Sequence, residues 1–229
     1  MARTAQRELP EAAKGDHNVT AETALAVEVK RLLAGGQREE AAERFGAIVE
    51  QQQRRAARIA YYHLRDPAEV DDVVQEAFLR AFRYLPSFRD AQFFVLWFTR
   101  ILVNACFDRL RAKRRRARWL VPSDASESLA AEGPPGSESS PEATLLAKER
   151  WANLKAAIGR LPARQRTAVI LIHLEGRSAR EVSVVMGLSE STVRVHLFRA
   201  ARKLRRLLDR DGRTARGRTA HGRTSRHGA

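Results

Sequence analysis

A single cysteine, Cys106, occurs among the 229 residues of the chain. One cysteine excludes an intrachain disulfide and a cysteine-rich metal site, and it fits a reducing, cytoplasmic environment. The six histidines are scattered and no carboxylates cluster with the spacing of metal ligands, so we assign no metal and no cofactor. A phosphate-binding glycine loop and a nucleophile with a partner base are also missing, so a nucleic-acid enzyme ranks last among the function classes.

Long apolar runs and acidic residues are both scarce. No stretch approaches the roughly eighteen apolar residues of a membrane span, and the N-terminus lacks a signal-peptide pattern, so we expect a soluble, unexported protein without membrane insertion. Basic residues outnumber acidic ones by 42 to 27, and the formal net charge of +15 predicts an anionic partner. Arginine supplies 36 of the basic residues, which suits phosphate and guanine contacts, although a GC-rich genome would give the same bias.

Charge and composition divide the chain into segments. Two basic blocks, residues 41–120 with net charge +7 and residues 146–209 with +9, flank an acidic stretch at 121–145. This stretch is rich in Pro, Gly and Ser and contains no Lys or Arg, so we interpret it as a flexible linker.

Both ends of the chain are predicted to be weakly structured. Residues 1–40 form a polar extension that we expect to be loosely ordered, although Ala21 to Ala34 could form a short helix. Residues 209–229 repeat Gly-Arg-Thr three times at five-residue spacing, which predicts a disordered basic tail. The tail either adds nonspecific attraction to phosphates or has no function.

Residues 178–206 have the pattern of a helix, a glycine turn and a second helix. Ser178 and Glu181 have the spacing of a capping box, which predicts a helix start at this point. Gly187 ends this helix, and Ser189 is placed to cap the next one. A helix-turn-helix lays its second helix in the major groove of DNA.

The second helix has one apolar and one basic side. Its buried side is predicted from three- and four-residue spacing to hold Val193, Leu197, Ala200, Leu204 and Leu208. The opposite side carries Ser191, Val195, Phe198, Arg199, Arg202 and Arg206. Val195 and Phe198 are apolar where a solvated helix would carry polar residues, so thymine methyls or sugar edges are natural partners. Alternatively, Phe198 packs on a neighbouring helix and the arginines are merely solvated.

The first basic block has the pattern of several helices. Asp66 is placed to cap a helix that begins at Pro67 and is stopped by Pro86. A long helix is predicted from Phe93 to Arg118, and one of its stripes alternates basic and aromatic residues. The members of that stripe are Phe93, Arg100, Asn104, Phe107, Arg111 and Arg114. The two phenylalanines could equally belong to the core.

The capped helix has a second face that core packing does not explain. It mixes acidic, amide and leucine side chains, namely Asp72, Gln75, Glu76, Leu79 and Arg83. Simple solvation is the default for such a face, but this composition also suits binding to a protein partner.

Three stretches resemble bacterial sigma factors. The run Asp71 to Phe78 resembles the polymerase-binding helix of that family, Trp97 to Asn104 resembles its promoter-melting helix, and Leu161 to Leu204 resembles its minus-thirty-five-binding domain. The linker leaves no room for the domain that larger sigma factors carry between these parts. The chain therefore resembles the compact extracytoplasmic-function (ECF) group, which implies an all-α fold of two small helical domains, 41–120 and 146–208.

The resemblance implies a role for each matched residue. The five residues of the second face would bind core RNA polymerase. The loop from Pro86 to Gln92 and the helix after it would receive an extruded minus-ten base and hold phosphates, through Phe88, Arg89, Arg100, Asn104, Arg111, Lys113 and Arg114. The second domain would bind the minus-thirty-five element through Ser191, Arg194, Val195, Phe198, Arg199 and Arg202.

The leading hypothesis is a promoter-specificity subunit that binds core RNA polymerase and recognises and melts promoter DNA. It is not expected to be an enzyme. The resemblance also implies a possible anti-sigma partner. The alternative is a helix-turn-helix regulator that binds a two-fold operator as a dimer.

Overall fold

The computed structural model describes residues 21–89, 93–117 and 141–221, with side chains for 21–89, 93–116 and 147–210. Every regular element in these ranges is helical, which confirms the predicted all-α class. The elements are α1 (Ala21–Ala34), α2 (Arg38–Leu64), α3 (Pro67–Tyr84), a 3₁₀ turn (Leu85–Ser87), α4 (Phe94–Ala117), α5 (Pro141–Gly159), α6 (Ala163–Val169), a π-helical turn (Ile170–Leu174), α7 (Ala179–Met186) and α8 (Glu190–His221).

Helices α1 to α4 form the first domain around an aromatic core. The rings of Phe78 on α3 and Phe98 on α4 stack at 4.5 Å between centroids, and Phe45 on α2 lies 5.2 Å from Phe82. Asp66 caps α3 as predicted, because its carboxylate accepts from the Ala68 backbone N–H at 3.2 Å. These contacts fix α3 and α4 side by side and leave their outer faces available.

The N-terminal extension is better ordered than the sequence suggested. Residues 21–34 form α1, and Ala26 and Val29 on this helix are fully buried against the first domain. The expectation of a loosely ordered extension is therefore wrong for this part. Small side chains at three-residue spacing allow a close approach of two helices, which composition alone does not reveal. Residues 1–20 lie outside the described residues.

Helices α5 to α8 form the second domain, and its predicted capping signals are confirmed. Ser178 and Glu181 make both halves of the capping box of α7, Gly187 adopts the left-handed conformation at the end of α7, and the Ser189 hydroxyl accepts from the Thr192 backbone N–H at 3.2 Å. Val193 and Ala200 are fully buried, as the periodicity of α8 predicts.

Two predicted boundaries of the second domain are wrong. Helix α5 begins at Pro141, inside the stretch 121–145 that was interpreted as linker, whose residues 121–140 lie outside the described part. Helix α8 continues to His221, so the residues from 209 to 221 are helical rather than disordered. Alanine and arginine are strong helix formers, and in this segment the helix continues through Gly212 and Gly217 although glycine disfavours helix.

An ion-pair cluster around a buried carboxylate joins the two domains. Glu175 follows the π-helical turn, and its side chain is 2% exposed. Its carboxylate accepts from Arg55 at 2.7 Å and from Arg58 at 2.9 Å, both on α2. Arg166 of α6 also donates to the backbone carbonyl of His63, near the end of α2, at 2.7 Å. We call Arg55, Arg58 and Glu175 the interdomain clamp.

His63 makes the first domain sensitive to acid. Its side chain is buried, its two ring nitrogens have no hydrogen-bond partner, and its ring packs edge-on against Phe107 at 5.8 Å. Burial lowers the pKa of the His63 imidazole to about 3, and the positive charge of Arg166 acts in the same direction. The folded state therefore holds the neutral ring at a pH where the unfolded chain takes up a proton.

The sign of the resulting pH dependence follows from this difference. Above about pH 6.5, the pKa of an unfolded-chain histidine, His63 is neutral in both states and does not lower the free energy of unfolding. Below this pH the unfolded chain binds a proton that the folded state does not, so the free energy of unfolding falls as the pH falls. We expect the free energy of unfolding to fall by up to about 1.4 kcal/mol more per pH unit in the wild type than in a His63→Leu variant. Urea unfolding of both proteins between pH 7 and pH 5 measures this difference. Equal pH slopes would contradict the assignment.

Candidate protein and nucleic-acid interfaces

The outer side of α3 presents the five predicted polymerase-binding residues together. All five side chains are exposed, and the α3 face, as we call it, consists of Asp72, Gln75, Glu76, Leu79 and Arg83. Leu79 is 65% exposed, and among the described residues it shares this exposure with only two other large apolar side chains, Val195 and Phe198. Leu79 follows Glu76 by about one turn and Asp72 by two, so the α3 face combines an apolar group with carboxylates that a protein partner can contact together.

Ion pairs connect the α3 face to α4. Asp72 pairs with Arg109 at 2.5 Å, and Glu76 pairs with Arg80 at 2.5 Å. Arg80 also lies 3.5 Å from Asp108 of α4. Exposed pairs of this kind contribute only about 0–1 kcal/mol each, so the carboxylates can exchange these partners for those of another protein at small cost.

The predicted minus-ten residues on α4 form a basic stripe. Arg100 and Asn104 are half-buried, whereas Arg111, Lys113 and Arg114 are exposed near the C-terminal end of the helix. Arg111 pairs with Asp108 at 2.5 Å, and Lys113 lies 3.5 Å from Glu69 of α3. The stripe therefore combines the half-buried Arg100 and Asn104 with an exposed cationic end suited to phosphates.

Phe88 does not belong to this surface, although the sequence predicted it as a minus-ten residue. Its side chain is 1% exposed, and its ring packs 5.2 Å from Trp97 and 6.0 Å from Phe94. The 3₁₀ turn at Pro86 directs the ring inward, where it completes the aromatic core. Its neighbour Arg89 is exposed. Phe93 and Phe107 are half-buried against the core, as the alternative interpretation held.

The second domain lies against part of the minus-ten stripe. Helix α7 packs on α4, and its residues Val182 and Val185 belong to the same apolar cluster as the first-domain core. A Cβ atom at Gly187 would lie 3.9 Å from a guanidinium nitrogen of Arg100. In this arrangement, Arg100 faces the turn of the helix-turn-helix.

The outward side of α8 presents every residue predicted for upstream DNA. The α8 face consists of Ser191, Arg194, Val195, Phe198, Arg199 and Arg202, all of which are exposed. Val195 is 44% and Phe198 is 63% exposed, so the alternative in which Phe198 packs on a neighbouring helix is wrong. The Arg202 guanidinium lies 5.8 Å from the Phe198 ring centroid. Arginines around exposed apolar groups suit phosphates and thymine methyls together.

Sequence reasoning missed His196 and Arg164 beside the α8 face. His196 is half-buried, its pKa is lowered by burial, and the charges of Arg164 and Arg199 act in the same direction. Arg164 is an exposed residue of α6. The sequence signal for Arg164 is its place in the stretch from Leu161 to Leu204, which resembles the minus-thirty-five-binding domain.

Within the described ranges, no group of three or more His, Cys, Asp or Glu side chains is placed to hold a metal ion. Among the described helices, none has the length and apolar character needed to cross a bilayer.

Family models match both domains. The model for Sigma-70 region 2 matches residues 48–116, and the model for Sigma-70, region 4 matches residues 151–204. The ECF RNA polymerase sigma factor SigM of Mycobacterium tuberculosis (strain ATCC 25618 / H37Rv) is 33% identical over 164 residues, which cover 72% of this chain and 76% of that protein. The chain belongs to the ECF group of sigma factors. This confirms the resemblance found in the sequence.

One more relative and two solved structures are also similar to this sigma factor. The ECF RNA polymerase sigma-E factor of Escherichia coli (strain K12) is 37% identical over 137 residues, covering 58% of this chain and 70% of that protein. The solved structure of CnrH in complex with the cytosolic domain of CnrY is 27% identical, with a TM-score of 0.58 over 84% of this chain and 99% of CnrH. The RpoE–NepR complex of Bartonella quintana shows the same fold, with a TM-score of 0.57 and 23% identity over 72% of this chain and 96% of that one.

The sigma factor thus binds core RNA polymerase and promoter DNA and directs transcription initiation. Its family consists of initiation factors rather than enzymes. The alternative of an operator-binding dimeric regulator is not favoured. The matched ranges contain the α3 face, the minus-ten stripe and the α8 face, whereas α1 lies before them.

Proposed function

We propose that the two domains divide the work of initiation between three surfaces. The first domain, residues 41–120, docks on core polymerase through the α3 face and engages the minus-ten element through the stripe on α4. The second domain, residues 146–208, reads the minus-thirty-five element through the α8 face. The observation that supports this most directly is the exposure of Leu79 and Phe198 at the centres of two separate charged surfaces.

The minus-ten surface is best assigned to Arg89, Arg100, Asn104 and the cationic end of α4. The half-buried Arg100 and Asn104 supply donors to a base edge, and the exposed Arg111, Lys113 and Arg114 hold the backbone. Phe88 stays in the core and supports this surface from below.

Regulation by a protein partner is part of this proposal. The similar protein CnrH was solved with the cytosolic domain of CnrY, and we propose an anti-sigma partner for this chain as well. We place the protein in the cytoplasm, where core polymerase acts.

Reconstituted transcription tests the proposal. Purified protein added to core polymerase should yield initiated transcripts from a subset of a genomic promoter library, and sequencing those templates gives the two promoter elements. Core polymerase alone is the control. A preparation without any sequestering protein that yields no transcripts above this control from any template would refute the proposed function.

Separate effects are expected for a base-reading and a phosphate-binding arginine. Arg199→Ala should lose about 1–3 kcal/mol of binding at particular minus-thirty-five bases, because that side chain lies on the exposed α8 face. Arg114→Ala should weaken binding on all promoters alike and lower the salt slope by about one. Holoenzyme binding to single-base promoter variants at several salt concentrations measures both. Equal, sequence-independent losses from the two changes would contradict this division.

A further inference from the structure

Helix α1 is joined to the first domain by polar contacts as well as by packing. Lys30 Nζ donates to the backbone carbonyl of Phe88 at 2.8 Å, and the Phe94 backbone N–H donates to Thr23 Oγ1 at 3.2 Å. Thr23 is 2% exposed, so its hydroxyl lies inside the domain. Thr23 and Lys30 are seven residues apart, which places them on the same side of α1 two turns from each other.

The two contacts hold the described ends of the segment between α3 and α4. Phe88 follows the 3₁₀ turn that ends α3, and Phe94 is the first residue of α4. The first backbone N–H groups of a helix lack partners within it, and a hydroxyl from a preceding residue usually satisfies one of them. Here the hydroxyl comes from another helix, so the start of α4 is fixed relative to α1.

The residues fixed in this way border the proposed minus-ten surface. Arg89 follows Phe88 directly, and Arg100 and Asn104 lie on α4 within three turns of Phe94. Groups that are held in place before binding lose less conformational entropy when they bind. The contacts that fix Phe88 and Phe94 therefore affect how accurately Arg89, Arg100 and Asn104 are placed against a base.

We propose that α1 is a positioning element for minus-ten recognition, with Lys30 and Thr23 as its positioning residues. They do not touch DNA. They fix the position of Arg89 relative to Arg100 and Asn104. The inference rests on the proposed minus-ten surface and adds to it a helix that lies outside the matched family ranges.

A helix that merely stabilises the domain would behave differently. Its loss would reduce the amount of folded protein and so lower polymerase binding and initiation in parallel on every promoter. A positioning helix instead changes the preference among minus-ten sequences while polymerase affinity stays constant. The deciding measurement is therefore the ratio of open-complex formation rates between templates that differ in the minus-ten sequence.

The variants Lys30→Met and Thr23→Val test this in the full chain bound to core polymerase. Lys30→Met removes the donor to the Phe88 carbonyl, Thr23→Val removes the hydroxyl that accepts from the Phe94 N–H, and both keep a similar volume. The matched control is Arg31→Met, which removes the same charge from the neighbouring, exposed position. Lys30→Arg and Thr23→Ser keep the donor and the hydroxyl, and they should restore wild-type behaviour. The readouts are affinity for core polymerase and the rate of open-complex formation on templates that differ by single minus-ten bases.

Lys30→Met and Thr23→Val should each slow open-complex formation on the preferred template roughly tenfold. They should reduce the discrimination against substituted minus-ten bases by a similar factor, with polymerase affinity unchanged. Arg31→Met should behave as wild type. Equal slowing on all templates, a parallel loss of polymerase affinity, or an equal effect of Arg31→Met would each overturn the inference.

The same experiment distinguishes an error in the proposed minus-ten surface from an error in the role of α1. If wild-type holoenzyme does not discriminate between the minus-ten templates, that surface is wrong and the inference falls with it. If wild type discriminates and both variants discriminate equally well, the surface stands and only the role of α1 is refuted.

Discussion

Reversing the charge of the α3 face, with Asp72→Arg and Glu76→Arg together, is expected to weaken binding to core RNA polymerase by at least about 100-fold. Both carboxylates are exposed one helical turn apart, and the exposed Leu79 follows them on the same face. A partner surface complementary to two negative charges would then face two positive ones, and like charges brought together at an interface cost several kcal/mol.

The fold should survive this change. Asp72 pairs with Arg109 and Glu76 pairs with Arg80, and both carboxylates remain at least half-exposed in these pairs. Losing such exposed pairs removes about 1 kcal/mol or less each, against a typical domain stability of about 5–15 kcal/mol. A normal circular dichroism spectrum and cooperative unfolding would confirm that the loss of binding is local.

The chain supplies a matched control on α2. Glu39 and Glu43 are both exposed and have the same four-residue spacing, so Glu39→Arg with Glu43→Arg changes the net charge equally. Titration of labelled core polymerase should show wild-type affinity for this control variant. An equal loss in both double variants would indicate a bulk charge effect, and retained affinity in the α3 variant would show that polymerase binds elsewhere.

Local signals account for the features that could be predicted from the sequence. The capping box of Ser178 and Glu181, the left-handed Gly187 and the cap at Asp66 each depend on side chains within a few residues of the backbone groups they satisfy. The exposed faces of α3 and α8 follow from helical periodicity, since one helix has one buried side. Such features need no knowledge of the rest of the fold.

The features that could not be predicted depend on packing between distant segments. Phe88 lies in a polar stretch, but the turn at Pro86 carries its ring under Trp97. Lys30 of α1 donates a hydrogen bond to the carbonyl of Phe88, which lies 58 residues away along the chain. A backbone carbonyl as acceptor leaves no mark in the sequence. The pairing of Glu175 with α2 likewise joins residues more than 110 positions apart, and any of several arginines could have supplied it.

Breaking the interdomain clamp is expected to separate the two domains. In Glu175→Gln the charge that faces Arg55 and Arg58 is lost. Arg55 is only 17% exposed, and burial already lowers the pKa of its guanidinium. Leaving a buried charge without its partner costs about 3–5 kcal/mol when the structure cannot move. Here the domains can move apart, which returns water to Arg55, so we expect opening rather than unfolding.

Small-angle scattering and chemical unfolding measure the opening. The radius of gyration of Glu175→Gln should exceed that of wild type, and unfolding should separate into two transitions because the domains no longer support each other. The control is Glu190→Gln, which alters a glutamate whose side chain is 43% exposed and pairs within α8 with Arg194 at 3.5 Å. This variant should remain as compact as wild type.

A double variant identifies which contact holds the domains together. If Arg55 and Glu175 act as a pair, Arg55→Gln combined with Glu175→Gln should destabilise less than the sum of the single changes, because no charge is then left buried. Arg58→Gln alone should have a smaller effect, since its side chain is 53% exposed. A Glu175→Gln protein that stays compact would instead show that apolar packing around Val182 and Val185 suffices, and that the clamp only orients the second domain.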